Sequence, residues 1–108
     1  MTSALYPSLR EQRVLITGGA TGIGATLVER FAAQGARVGF IDIAADAGRE
    51  LAARLPGCAF VAADLTDIAQ LRAAIATLRE QLGGPFKVLL DNAANDKRHP
   101  LEEVTPEF

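Results

Sequence analysis

The sequence predicts a doubly wound α/β domain. Three observations carry this: four short apolar runs, helical periodicity between them, and a glycine cluster where the first run meets the first helix. Strands that alternate with helices build a parallel sheet through right-handed crossovers, with helices on both faces. The strand candidates are 13–17 (RVLIT), 37–42 (RVGFID), 59–63 (AFVAA) and 88–91 (VLLD). Each is continuous rather than alternating, the pattern of strands covered on both sides.

The helices follow from their stripes. Leu27, Val28, Phe31 and Ala32 mark the first, which Gly35 is placed to end in a left-handed cap. Ala47, Leu51 and Leu55 make a shorter second stripe closed by Pro56 and Gly57. In the third, Ile68, Leu71, Ile75, Leu78 and Leu82 recur at steps of three and four, which sets all five on one side. The order is β-α-β-α-β-α-β, with no internal repeat and no low-complexity linker.

Composition agrees with one soluble domain. A chain of 108 residues can bury roughly 60 to 68% of its unfolded surface. Hydrophobic residues make up 49% and charged residues 22%, the balance of an ordinary globular protein. Eleven basic and thirteen acidic residues leave a net charge of −2, which offers no basic field to nucleic acid or to an anionic membrane. The single cysteine, Cys58, makes no internal disulfide. No stretch reads as a signal peptide or a membrane span, so the expected location is the cytoplasm.

The segment LITGGATGIGATL, 15–27, holds Gly18, Gly19, Gly22 and Gly24 within seven positions. A helix N-terminus carries unpaired N–H groups and a partial positive charge, so a diphosphate can settle there if no side chain obstructs it. Gly18, Gly22 and Gly24 give that access, and Gly24 also lets the helix pack close to the sheet. The alternative is a tight strand-to-helix turn with no ligand. No Gly-Lys-Ser/Thr follows, which argues against a nucleoside triphosphate.

Asp42 closes the second strand eighteen positions beyond Gly24, where a carboxylate can accept hydrogen bonds from an adenosine ribose or, alternatively, cap the next helix. It would also repel a 2′-phosphate. Two like charges ~4 Å apart cost about 1 kcal/mol in water and about 4 kcal/mol at an effective dielectric of 20. Neither Thr21 nor Ile43 supplies a compensating cation, so NAD is expected over NADP by roughly tenfold to a thousandfold.

Two further strand ends are polar. Asp64 can accept from an adenine amino group with Leu65 beside the ring; alternatively, Asp64 or Thr66 caps the third helix. After the fourth strand, Asn92 can bond across neighbouring strand ends, and Ala93 and Ala94 leave room beside a ligand; a plain turn residue is the other reading of Asn92. All four strands thus deliver polar or small groups to one edge.

Taken in order, TGGATGIG at 17–24, Asp42, Asp64-Leu65 and Asn92-Ala93-Ala94 resemble the NAD-type short-chain dehydrogenases/reductases. A closer similarity, through SALYPSL (3–9), FIDIA (40–44) and NDKRHPLEEVTPEF (95–108), is to bacterial NAD-dependent D-xylose 1-dehydrogenases and related aldose dehydrogenases. The family's NNAG reads DNAA here, with Asp91 and Ala94 replacing its first asparagine and its glycine.

The resemblance implies a Rossmann-type sheet, of which this chain carries the first four strands in the order 3-2-1-4. It implies a single NAD(P)-binding domain over 1–108, incomplete at its C-terminal end. It also implies an NAD site at Gly18, Thr21, Gly22, Ile23, Gly24, Asp42, Ile43, Asp64, Leu65, Asn92, Ala93 and Ala94.

The implied reaction passes a hydride from a sugar or alcohol to NAD, with an aldose giving a lactone. The family's catalytic serine, tyrosine, lysine and asparagine belong beyond the fourth strand and the helix after it. Val104 to Phe108 read as the start of that helix, with Thr105 as N-cap and Pro106 at its first position. The only tyrosine, Tyr6, is not followed by x-x-x-Lys. The expectation is therefore a cofactor-binding half without its catalytic residues and inactive by itself. A noncatalytic NAD-binding module is the alternative.

Asp96, Arg98 and His99 are candidates for sugar contacts or simply a solvated loop, and no metal site is expected. The fourth strand is expected at an edge with its covering helices missing, which favours marginal stability and homo-oligomers.

Overall fold

Seven elements follow one another in the computed structural model, which describes residues 11–92. They are β1 (Arg13–Thr17), α1 (Gly22–Ala33), β2 (Arg37–Asp42), α2 (Ala45–Arg54), β3 (Cys58–Ala62), α3 (Ile68–Leu82) and β4 (Val88–Asp91). The strands form one parallel sheet, as the sequence pattern predicts, in the order β3-β2-β1-β4 that the family resemblance implies. Thr17 stands level with Ile41 on one side and Asp91 on the other, and Asp42 with Ala62. The register therefore brings all four strands to an end at one carboxyl edge.

The pleat of each strand divides the core in two. Val14, Ile16, Val38 and Phe40 point to one face and join Val28 of α1 and Leu51 of α2. Leu15 and Ile41 point to the other and meet Leu71, Ala74, Ile75, Leu78 and Leu82 of α3. The third predicted stripe is therefore the inner side of α3, with Ile68 only half-buried at its start. Phe40, Leu15, Ile16, Ile41 and Leu78 are fully buried, worth about 1.5–3 kcal/mol apiece. Gly48, inside α2, has a packing reason: a Cβ there would run into the Phe60 ring, which itself lies 5.1 Å from the ring of Phe40.

Three expectations need correction. β3 begins and ends one residue earlier than predicted, at Cys58 and Ala62. Its partner β2 stops at Asp42, which stands opposite Ala62, so the ladder leaves Ala63 beyond its end. Second, the residues of β3 and β4 are half-buried or exposed, unlike the interior of β1 and β2, although both strands send side chains into the cores on both faces of the sheet. They are the outer strands of the described sheet, each paired on one side. Third, the N-cap of α3 is Asp67, whose carboxylate accepts from the N–H groups of Ala69 and Gln70; neither Asp64 nor Thr66 fills that place. Gly35, with φ of 88°, follows α1 in the left-handed conformation expected of it.

Candidate functional site

The carboxyl edge is organised around the turn from β1 into α1. Gly18 leaves the sheet with its N–H donating to the Ile41 carbonyl at 2.7 Å. Gly19 then passes so close to Phe40 and Val28 that a Cβ would sit 2.9 Å from the Phe40 Cβ and 3.0 Å from the Val28 Cγ2. Thr21 is the extended N-cap residue of α1, at φ −139° and ψ 163°, but its side chain makes no capping hydrogen bond. No acidic residue stands in the first turn either. Among the described residues, the first amides of α1 have neither a Thr21 cap nor an acidic side chain of the first turn as acceptor, at the positive end of the helix dipole.

Gly22 and Gly24 do different things there. Gly22 has φ of +60°, which side-chain-bearing residues rarely adopt, and nothing lies within 4 Å of where its Cβ would be. That is open space in front of the helix. At Gly24 a Cβ would collide with the Gly18 carbonyl and lie 2.8 Å from the Asn92 Nδ2. This is the close helix-to-sheet contact expected of that glycine.

Side chains from both neighbouring strands hold the loop. From β2, the Asp42 Oδ2 accepts the Ala20 N–H at 3.1 Å while its Oδ1 accepts the Ala44 N–H at 3.1 Å. Each oxygen keeps further lone-pair capacity, which a ribose diol can use. From the β4 side, Asn92 donates its backbone N–H to the Thr17 carbonyl at 3.1 Å and its Nδ2 to the Gly18 carbonyl at 3.0 Å. The expected bond across strand ends is therefore present. The buried Thr17 hydroxyl donates to the Asp91 Oδ1 at 2.7 Å, so the aspartate in DNAA ties β1 to β4.

Asp64 stands at the end of β3, beyond Asp42 as seen from the glycine turn. Its Oδ1 accepts both the Thr66 hydroxyl at 2.6 Å and the Thr66 N–H at 2.9 Å. The hydroxyl bond, and then the backbone bond, hold its carboxyl below the usual carboxylate range. Asp64 thus shapes its own loop. Leu65 is half-buried against the α3 side of the core.

Ile23 and Ile43 are 73% and 71% exposed, the large apolar residues most open to solvent among those described. Both adjoin the site, one in the first turn of α1 and one just past Asp42. Ala93, Ala94, Asp96, Arg98, His99 and the 104–108 segment lie outside the described residues, as does Tyr6. Among the described residues no group of three His, Cys, Asp or Glu side chains could hold a metal ion, and no described helix is long and apolar enough to cross a membrane.

Open space beside the uncapped start of α1, with a strand-end carboxylate nearby, is compatible with a dinucleotide site. The family model for short chain dehydrogenases matches residues 12–107. The chain belongs to the short-chain dehydrogenase family. It is 45% identical to a probable galactose dehydrogenase of Rhizobium meliloti, over 99% of this chain and 43% of the relative. It is also 45% identical to a D-xylose 1-dehydrogenase of Caulobacter vibrioides, over 97% of this chain and 42% of the relative. The chain thus spans less than half the length of these curated relatives.

Among solved structures, a 3-ketoacyl-(acyl-carrier-protein) reductase of Brucella melitensis, complexed with NADH, superposes with a TM-score of 0.71 at 29% identity, over 75% of this chain and 33% of that one. FolM alternative dihydrofolate reductase 1 of Brucella canis, complexed with NADP, gives 0.72 at 29% identity, over 81% and 36%. The family and its fold agree with the resemblance read from the sequence.

Sequence reasoning missed three participants. Ala20 acts through its backbone, for which no residue type is a signal. Thr17 lay inside a quoted motif, and Asp91 was visible as a departure from NNAG, but neither pointed to the other until the register of β1 and β4 set them side by side.

Proposed function

We propose that this chain binds NAD along the carboxyl edge and serves an NAD-dependent dehydrogenase that oxidises a sugar or alcohol hydroxyl, an aldose such as D-xylose going to its lactone. The observation that carries the reading is the Asp42 carboxylate, held beside a helix terminus that its own N-cap residue, Thr21, leaves uncapped. The residues fit the cofactor. No side chain at Gly22 would obstruct a diphosphate, the amides of Gly22, Ile23 and Gly24 would meet its charge, and Asp42 would accept from the adenosine ribose.

Ile23 and Ile43 would lose exposed apolar surface to the bound dinucleotide, and Asn92 occupies the Gly18 carbonyl with a hydrogen bond. A 2′-phosphate would approach Asp42 at a cost of about 1 to 4 kcal/mol, which supports NAD over NADP. When bound, the nicotinamide accepts a hydride from the carbon bearing the substrate hydroxyl.

The sugar assignment rests on the two 45% identical relatives and their names. The same reading takes the protein to be cytoplasmic and a homo-oligomer, the latter supported by the half-buried apolar residues of β4. A second use of the same site is binding of NAD without turnover.

Calorimetric titration with NAD and NADP, followed by an assay of aldose-dependent NADH formation, separates the possibilities. Tighter NAD binding with turnover supports the dehydrogenase within this chain. Tighter NAD binding without turnover places the catalytic groups elsewhere, and absence of binding to either dinucleotide contradicts the reading.

A further inference from the structure

The glycine turn must keep its shape before any ligand arrives, and its own residues do little to fix it. Thr21 does not cap α1, and Gly18 and Gly22, both at positive φ, have no side chain to restrict the backbone. What holds the turn comes from outside: the Ile41 carbonyl on the Gly18 N–H, Asn92 on the Gly18 carbonyl and Asp42 on the Ala20 N–H. Ala20 is only 5% exposed, so its amide has little access to water as a substitute partner. The other Asp42 oxygen accepts the Ala44 N–H, which fixes the carboxylate's orientation from its own side of the cleft.

We infer that Asp42 is a positioning residue for the glycine turn as well as the acceptor for the ribose, so that selection of the cofactor and the shape of its diphosphate cradle depend on one carboxylate. The part of this inference that concerns cofactor selection rests on the NAD reading above. Two N–H donors converge on two carboxylate oxygens. An asparagine offers one acceptor and one NH2, so either Ala20 or Ala44 would then face a donor. A neutral residue at position 42 therefore does more than remove repulsion of a 2′-phosphate: it releases the turn that both dinucleotides need.

The test is D42N in the full chain, with two readouts. Hydrogen exchange at the Ala20 amide, followed by NMR without ligand, is expected to quicken about tenfold, while the Ala69 and Gln70 amides stay unchanged. Affinities for NAD and NADP are both expected to fall, each by about tenfold. A residue that only discriminated between cofactors would instead let NADP bind more tightly and leave Ala20 unmoved, and that result overturns the inference. So does tighter NADP binding together with faster exchange, because it uncouples the two roles.

If Ala20 responds but the wild-type chain binds neither dinucleotide, the anchoring stands and the NAD reading falls. Should D42N fail to fold, the scalar coupling across the hydrogen bond from the Ala20 nitrogen to the Asp42 carboxyl carbon decides the matter in the wild type. Its presence supports the anchor, and its absence contradicts it.

Discussion

Helices α1 and α3 both start at the carboxyl edge of the sheet, yet α3 completes its own terminus and α1 does not. At α3 the Asp67 carboxylate takes the N–H groups of Ala69 and Gln70 at 3.0 and 3.2 Å, and the Gln70 side chain returns a bond to the other Asp67 oxygen. At α1 the corresponding residue, Thr21, makes no such bond, and strand-end side chains hold the preceding turn instead. A capped terminus is finished structure. An uncapped one with no acidic residue in its first turn, kept in shape by its neighbours, leaves its amides open.

The contrast is broken most severely at Gly24. Gly24→Ala drives a methyl group into the Gly18 carbonyl, and a loss of about 3 kcal/mol in urea unfolding is expected. A loss below about 1 kcal/mol would mean that α1 is not pressed against the turn as described. Giving α1 the cap that α3 already has makes the next largest change. Thr21→Asp would stabilise the helix by about 0.5 kcal/mol, yet weaken NAD binding by about tenfold or more through repulsion of the diphosphate. Thermal unfolding and calorimetric titration should therefore move in opposite directions; equal NAD affinity in the variant would place the diphosphate elsewhere.

The reverse experiment belongs to α3. Asp67→Ala should cost about 1 kcal/mol of stability and leave NAD affinity where it was, so a loss of binding would show that the two termini are not independent.

The smallest effect is one of pH. Because Thr66 holds the Asp64 carboxyl below its usual range, the stability it contributes is present above that range and is lost as the pH falls through the lowered value. Thr66→Ala should bring the carboxyl back toward its ordinary value and flatten that acid-side loss, as read by NMR titration of the carboxyl carbon. An unchanged titration would detach Asp64 from Thr66.

What the sequence made legible depended on whether the signal was local. The stripe from Ile68 to Leu82 repeats a single geometric period and the runs of β1 and β2 are apolar without a break, so both predicted the core. The four glycines and Asp42 were legible because a strand-to-helix turn and a strand end have fixed places at one edge of a parallel sheet. The cap of α3 was misplaced because Asp64, Thr66 and Asp67 are all good capping residues within four positions. Which one caps depends on where the turn after β3 lets the helix begin. The anchoring of Ala20 by Asp42 joins residues 22 apart through a backbone amide, and no spacing rule announces that. The exposure of β3 and β4 follows from strand order, since the same apolar run reads alike at the centre of a sheet and at its edge.

The most direct test follows backbone amide shifts by NMR while the oxidised dinucleotide is added. The account predicts that the amides of Gly22, Ile23 and Gly24 move together with that of Ala20, while those of Ala69 and Gln70 do not. Saturable shifts centred on the start of α3 or on the opposite edge of the sheet, with the first turn of α1 silent, would contradict it.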